Sequence, residues 1–195
     1  IYKHHVNTYG KPWEFGYKEF VPNFTAENWD PQGWAKLFKE VGARYVVPVA
    51  EHHDGFAMWD SELTDWDAMD KGPQRDIIGE LGEAVRAEGM KYAPSYHRAY
   101  NWKYYETSYQ LPEDCDTQDT EYAKIGGIYP PPHEPGAPVS EAYLKDWKKR
   151  WEEIRDKYKP DFAWFDFGWG DSLYHPYMKE MMADYFNLAK EKWGK

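Results

Sequence analysis

The sequence is poor in several things, and each shortage closes off a class of function. A single cysteine, Cys115, excludes an internal disulfide and any cysteine-based zinc cage, although it does not separate cytosol from periplasm. No window approaches the roughly 20 uncharged apolar residues of a membrane span, and the opening Ile1-Tyr2-Lys3-His4-His5 forms no signal peptide. Lysine and arginine (24) are outnumbered by aspartate and glutamate (34), for a net charge of −10, and they form no cluster. Phosphate backbones are bound by clustered cations that release counterions, so the chain reads as a partner of neither nucleic acid nor membrane. There is no low-complexity tract, and no repeat beyond a strand–helix alternation.

What is abundant is aromatic. Rings make up 19% of the 195 residues, with 11 Trp and 17 Tyr. Rings in polar loops offer flat apolar faces with a polar handle, the surfaces on which sugars stack, so the composition points towards carbohydrate. At 42% hydrophobic and 30% charged the chain is globular and long enough for a sizeable core.

Asp30-Pro31 followed by Trp34, Leu37, Phe38 and Val41, then Gly42, predicts an N-capped helix with an inward apolar stripe and a glycine stop. Tyr45 to Ala50 reads as a buried strand ending in Glu51-His52-His53-Asp54-Gly55. The unit repeats: Asp76 opens a helix carrying Ile78, Leu81 and Val85, and Lys91 to Tyr96 forms a strand ending at His97. Ser140 opens a third helix with Leu144, Trp147, Trp151 and Ile154 on one face, and Phe162 to Asp166 forms a third strand. A last helix runs from about Pro176 to Trp193, with Met178, Met181, Tyr185 and Leu188 inward. This order predicts right-handed βαβ units and a parallel sheet. Pro48 and Pro94 fall inside two of the strands and are expected to mark bulges that re-aim the residues after them. Residues 98–138, rich in Tyr and Pro, are too long for a βα connection and read as an inserted surface loop or a substrate-covering lid.

In parallel α/β folds the ligand site lies at the carboxyl ends of the strands. Here three strand ends deliver Glu51-His52-His53-Asp54, Ser95-Tyr96-His97-Arg98 and Trp164-Phe165-Asp166 to one rim. A period of two puts Trp164 and Asp166 on the same side, an aromatic wall beside a carboxylate that would be costly to bury ionised unless paired. His52 and His53 would face opposite sides of a regular strand and could not chelate one metal. A turn at the strand end would bring both into the pocket.

Taken together, Tyr45 to Phe56, Gly72-Pro73-Gln74-Arg75-Asp76, Ser95-Tyr96-His97-Arg98 and Trp164-Phe165-Asp166 resemble the α-L-fucosidases of glycoside hydrolase family 29, from about His4 to Lys192. The resemblance implies an α/β fold of (β/α)8 TIM-like barrel type and retaining exo-hydrolysis of terminal α-L-fucose, in which one carboxylate attacks the sugar and a second protonates the leaving oxygen. It implies Asp166 as nucleophile, Trp164 as the aromatic beside it, and His52, His53 and His97 as binders of fucose hydroxyls. It implies a fucosylated oligosaccharide or glycoconjugate as substrate, and neither metal nor organic cofactor.

Members of the family carry an upstream first strand with a His-Trp-Gly motif and, after the nucleophile strand, a carboxylate acid/base. The sequence begins past the former and ends soon after Asp166, and a whole barrel takes about 250 residues. Residues 1–195 are therefore expected to be a partial catalytic domain, with strands matching the second to fourth, an opening at Ile1 that points to a processed or truncated product, and the acid/base outside the chain. Open sheet edges predict poor solubility or homo-oligomerisation. An extracellular or periplasmic location fits the resemblance, although the chain itself carries no address. Two other readings stand beside it. One is a fucose-binding slice without hydrolysis; the other is a metal-dependent barrel hydrolase or sugar isomerase with Glu51, His52, His97 and Asp166 as ligands.

Overall fold

The computed structural model describes residues 2–112, 115–166, 168 and 170–194. Helix α1 (Tyr2–Tyr9), which the sequence pattern did not announce, leads through a 3-10 turn at Lys18–Asn23 to α2 (Pro31–Glu40). The Asp30 carboxylate caps α2 by accepting from the Gly33 amide at 2.9 Å.

The apolar stripe of α2 does not lie as expected. Pro31 and Ala35 are buried and Phe38 is partly covered, whereas Trp34, Leu37 and Val41 are 47%, 55% and 74% exposed. At about 100° per residue the two sets occupy neighbouring faces of one helix. Only the Ala35 face packs inward; the other stays largely exposed, with Trp34 edge-on to Trp29 at 4.8 Å between rings.

Each of the first two expected strands is cut in two by its proline. Strand β1 (Tyr45–Val46) precedes Pro48 and β2 (Val49–Glu51) follows it; helix α3 (Ile77–Ala87) comes next; then β3 (Lys91–Tyr92) and β4 (Ser95–Tyr96) flank Pro94. Strand β1 pairs with β3, and β2 with β4, both in parallel. Val49 opposes Ser95 while Glu51 opposes Tyr96, so the ladder carries one extra residue just past Pro48. That is the expected bulge, and it turns the chain immediately before His52.

A 3-10 turn at Arg98–Tyr100 and the short α4 (Asn101–Tyr104) open the long connection to α5 (Glu141–Tyr158). The third strand, β5, is shorter than expected (Trp164–Phe165) and lies beside β4, giving the order β2-β4-β5. Phe167 and Trp169 lie outside the described residues. Helix α6 (His175–Leu188) buries Met178, Met181 and Tyr185, with Leu188 partly covered, and continues in wider π-type turns over Ala189–Trp193.

The core is aromatic. Trp147 and Trp151, one turn apart on α5, are fully buried with Leu144 and Ile154, and Trp151 meets Phe165 of β5 at 4.6 Å between rings. Emptying such a site costs about 3–5 kcal/mol, so this α5 face is one support of the parallel sheet, beside Ile78, Leu81 and Val85 of α3. Asp76, the cap of α3, accepts from the Gly79 amide at 2.8 Å and from the Tyr158 hydroxyl at 2.9 Å. It thereby ties the start of α3 to the end of α5. Asp76→Ala is expected to cost about 1–2 kcal/mol, read as a lower urea midpoint with an unchanged m-value.

The described part of residues 98–138 contributes Tyr105, Ile128 and Tyr129 to a second apolar cluster that includes Phe56. They hold the site loop from outside: the Asn101 side-chain amide donates to the His53 carbonyl at 2.7 Å, and the Tyr105 hydroxyl to the Asp54 carbonyl at 3.0 Å. Gly55 has φ of +87°, and a Cβ there would lie 2.1 Å from the Ile128 carbonyl oxygen. Only glycine allows this approach of the segment to the loop.

Candidate active site

Strand β2 ends at Glu51, so strand alternation stops just before the two histidines. The chain turns over His52 to Gly55, and the rings of His52 and His53 lie 4.0 Å apart. His97, following β4, stacks on His52 at 4.8 Å. Its amide donates to the Glu51 carbonyl at 2.9 Å, which places the two strand ends level. Three imidazoles from two strands therefore converge, as the turn reading required and as regular strand geometry forbids.

Asp166 joins them from the end of β5. Its Oδ2 lies 3.0 Å from His97 Nδ1, and its Oδ1 accepts from Trp164 Nε1 at 3.3 Å. His97 Nε2 lies 2.8 Å from the Ser95 hydroxyl, so the ring bridges a strand residue and the carboxylate. The Asp166 side chain is 44% exposed. It is an accessible carboxylate oriented by two neighbours, and the cost of burying an ionised group does not arise.

His53 and His97 are pushed towards their neutral forms. Burial, then the neighbouring His52 and His97, lower the His53 pKa to about 4, against a smaller opposing pull from Asp166. Burial also lowers His97, opposed by Asp166 and reinforced by His52. A neutral imidazole both donates and accepts hydrogen bonds, which suits hydroxyl recognition. The His53 proton resonances are expected to stay constant from pH 8 to about 5 in an NMR titration and to move only near pH 4. Because the folded pKa lies below the ordinary value, the associated stability is present above pH 6.5 and falls away between there and about pH 4. Titration of His53 near 6.5 would remove this description of the cluster.

Beneath the histidines lies a buried ion cluster. Glu51, Arg98 and Arg150 are fully buried and Asp146 is 8% exposed. Arg98 bonds Glu51 and, at 3.0 Å, Asp146; Arg150 reaches the same two carboxylates at 3.2 Å each. Two positive and two negative groups balance in charge in the interior. This corrects the reading of Glu51 as a metal ligand, since its carboxylate faces the arginines below the pocket and not the histidines above.

The sequence reading missed this cluster and part of the pocket wall. Arg150 falls on the apolar face of α5 beside Trp151, and a charged residue on such a face signals a buried partner. Tyr100 and Tyr104, from the long connection, stand 4.9 and 5.5 Å from the His53 ring. Tyr17 donates to Asp54 Oδ2 next to them. Only folding brings these rings to the rim. An apolar groove of about 630 Å³ between Trp29, Trp34, Val49 and Leu81 holds none of the site histidines. It runs past Pro48 and Val49 to Met58, whose amide donates to the Ala50 carbonyl of β2 at 2.8 Å.

A half-exposed carboxylate, three clustered imidazoles and surrounding rings at the ends of parallel strands form a polar, aromatic-walled site of the kind that binds sugar hydroxyls. The family model for alpha-L-fucosidase matches residues 1–193, and the chain belongs to that family, glycoside hydrolase family 29. It is 32% identical to the tissue alpha-L-fucosidase of Rattus norvegicus over 191 residues, 92% of this chain and 36% of the relative. It is 33% identical to that of Homo sapiens over 156 residues, 80% of this chain and 28% of the relative. Among solved structures, the Thermotoga maritima alpha-fucosidase in complex with fucose superposes with a TM-score of 0.71 at 33% identity, covering 95% of this chain and 39% of that one. An alpha-L-fucosidase from Bacteroides thetaiotaomicron, at 19% identity and a TM-score of 0.61, shares the fold. The chain thus spans between 28% and 39% of the length of these relatives.

Proposed function

We propose that residues 1–195 are part of the catalytic domain of a retaining exo-α-L-fucosidase, acting on terminal α-L-fucose of oligosaccharides or glycoconjugates. The strand segments 45–51, 91–96 and 164–165 are the second to fourth strands of a (β/α)8 barrel. The observation that carries this reading is the meeting of Asp166, His97 and the His52–His53 pair at three parallel strand ends in a chain of this family.

Asp166 is the nucleophile. Its accessible carboxylate attacks the anomeric carbon, and the glycosidic oxygen leaves with a proton from a second carboxyl group about 5–5.5 Å away. Water, activated by that second group, then releases fucose with its configuration retained. His97 orients the nucleophile and, with His52 and His53, bonds the ring hydroxyls. Trp164 forms the apolar wall, and residues 98–138 cover the pocket with Tyr100 and Tyr104. The acid/base comes from outside these residues: Glu180 on α6 pairs with Lys148 at 2.6 Å, and Glu191 stands exposed on the same outer helical arm.

His52→Ala and His53→Ala, in the protein carrying the complete catalytic domain, are each expected to lower kcat/KM for an aryl α-L-fucoside by about 10- to 100-fold. That is the loss of one or two hydrogen bonds that tighten towards the transition state. Unchanged kinetics in both variants would overturn the reading. The missing second carboxylate favours one narrower outcome for residues 1–195 alone, namely fucose binding without hydrolysis, which calorimetry with L-fucose separates from activity.

A further inference from the structure

We infer that His52, His53 and His97 form a binding site for a divalent first-row transition cation such as zinc, nickel or copper, and that this cation and the sugar exclude one another. The three side chains each offer a ring nitrogen, and these atoms all lie within 4.8 Å of one another. Imidazole nitrogen suits zinc, nickel and copper, whereas magnesium and calcium demand oxygen ligands.

At metal–nitrogen distances of about 2.0–2.1 Å, nitrogens on one tetrahedral ion stand roughly 3.4 Å apart. The widest separation must therefore close by a little over an ångström. His52 is exposed on the turn after β2, so its ring has room to move, while His97 is held between Ser95 and Asp166. The Asp166 carboxylate at His97 Nδ1 matches the carboxylate–imidazole pairing that orients ligating histidines, which leaves Nε2 for the ion; the ion takes the place of the Ser95 hydroxyl that lies 2.8 Å from that nitrogen. Three protein ligands leave a fourth position open to water.

The ion is no cofactor, because the proposed hydrolysis has no step for it. It occupies the imidazole nitrogens that would otherwise bond the sugar hydroxyls, so it acts as a competitive blocker. The exclusion clause rests on the fucose reading; the metal site does not.

The test is a titration of the 195-residue chain with Co2+, followed by visible d–d absorption, with Zn2+ calorimetry alongside. One ion per chain is expected. His52→Ala and His97→Ala should each weaken binding by about tenfold or more, with near-UV circular dichroism confirming that each variant is folded and His52→Gln serving as a milder second change. His4→Ala should change nothing, which controls for the adjacent His4-His5 pair on α1. Excess L-fucose should raise the apparent Kd for Co2+. Absence of stoichiometric binding, or binding lost with His4 and kept without His52, overturns the site. Stoichiometric binding that ignores fucose upholds the metal site and removes the histidines from the sugar reading.

Discussion

Asp166→Gly, in the protein carrying the complete catalytic domain, is expected to lower turnover of an aryl α-L-fucoside by roughly 10³-fold or more, the scale on which losing an attacking side chain is felt. The loss should fall on kcat, because the carboxylate makes its bond to the sugar in the transition state while the histidines still hold the hydroxyls. Azide should restore part of the rate. The small anion fits where the side chain was removed and attacks the anomeric carbon, giving a fucosyl azide of inverted configuration. The geometry favours this rescue, since Asp166 is half open to solvent and leaves a reachable space. Unchanged turnover in the variant would remove Asp166 from the chemistry.

Arg98→Met is expected to destabilise the fold by about 3–5 kcal/mol, the usual cost of breaking a buried ion pair from one side. The change leaves Glu51 and Asp146 with Arg150 as their remaining guanidinium partner. A urea midpoint equal to that of the parent chain would show that the cluster contributes nothing. The acid side should move as well. Burial alone would raise the pKa of Asp146, but Arg98 and Arg150 outweigh it and hold the carboxyl below its ordinary value. A folded pKa below the unfolded one gives stability that is present above the ordinary carboxylate range and lost as the pH falls through the depressed value. With Arg98 gone the depression shrinks, so acid unfolding should begin at a higher pH. The cluster joins the end of β2, the residue after His97 and helix α5, which makes it the physical link between core stability and the placement of the histidines.

Much of the frame can be read along the chain because its signals are local. Asp30, Asp76 and Ser140 cap their helices as the pattern requires, each accepting from the amide three residues on. The buried face of α5 is the predicted one. Pro48 and Pro94 could be read as interruptions because proline lacks the donor a ladder needs. The stripe on α2 misled for a reason equally physical. Periodicity names a face that can be buried, but another segment must arrive to bury it, and among the described residues Trp34, Leu37 and Val41 stay exposed.

By itself, then, the sequence determined the order of helices and strands, the parallel sense of the sheet, and the three strand ends on which Asp166, Trp164, His97, His52 and His53 sit. Each follows from residue spacing and short-range backbone chemistry. Only the tertiary structure decided that His52 and His53 share a pocket, because the bulge past Pro48 and the turn braced by Asn101 and Tyr105 override strand alternation. It alone decided that Glu51 belongs to the buried arginines, and that Tyr100 and Tyr104 reach the rim. Those contacts join residues some 45 to 100 positions apart. No local pattern encodes such a meeting; the long connection folding back on the turn after β2, and Arg150 of α5 reaching Glu51, bring it about.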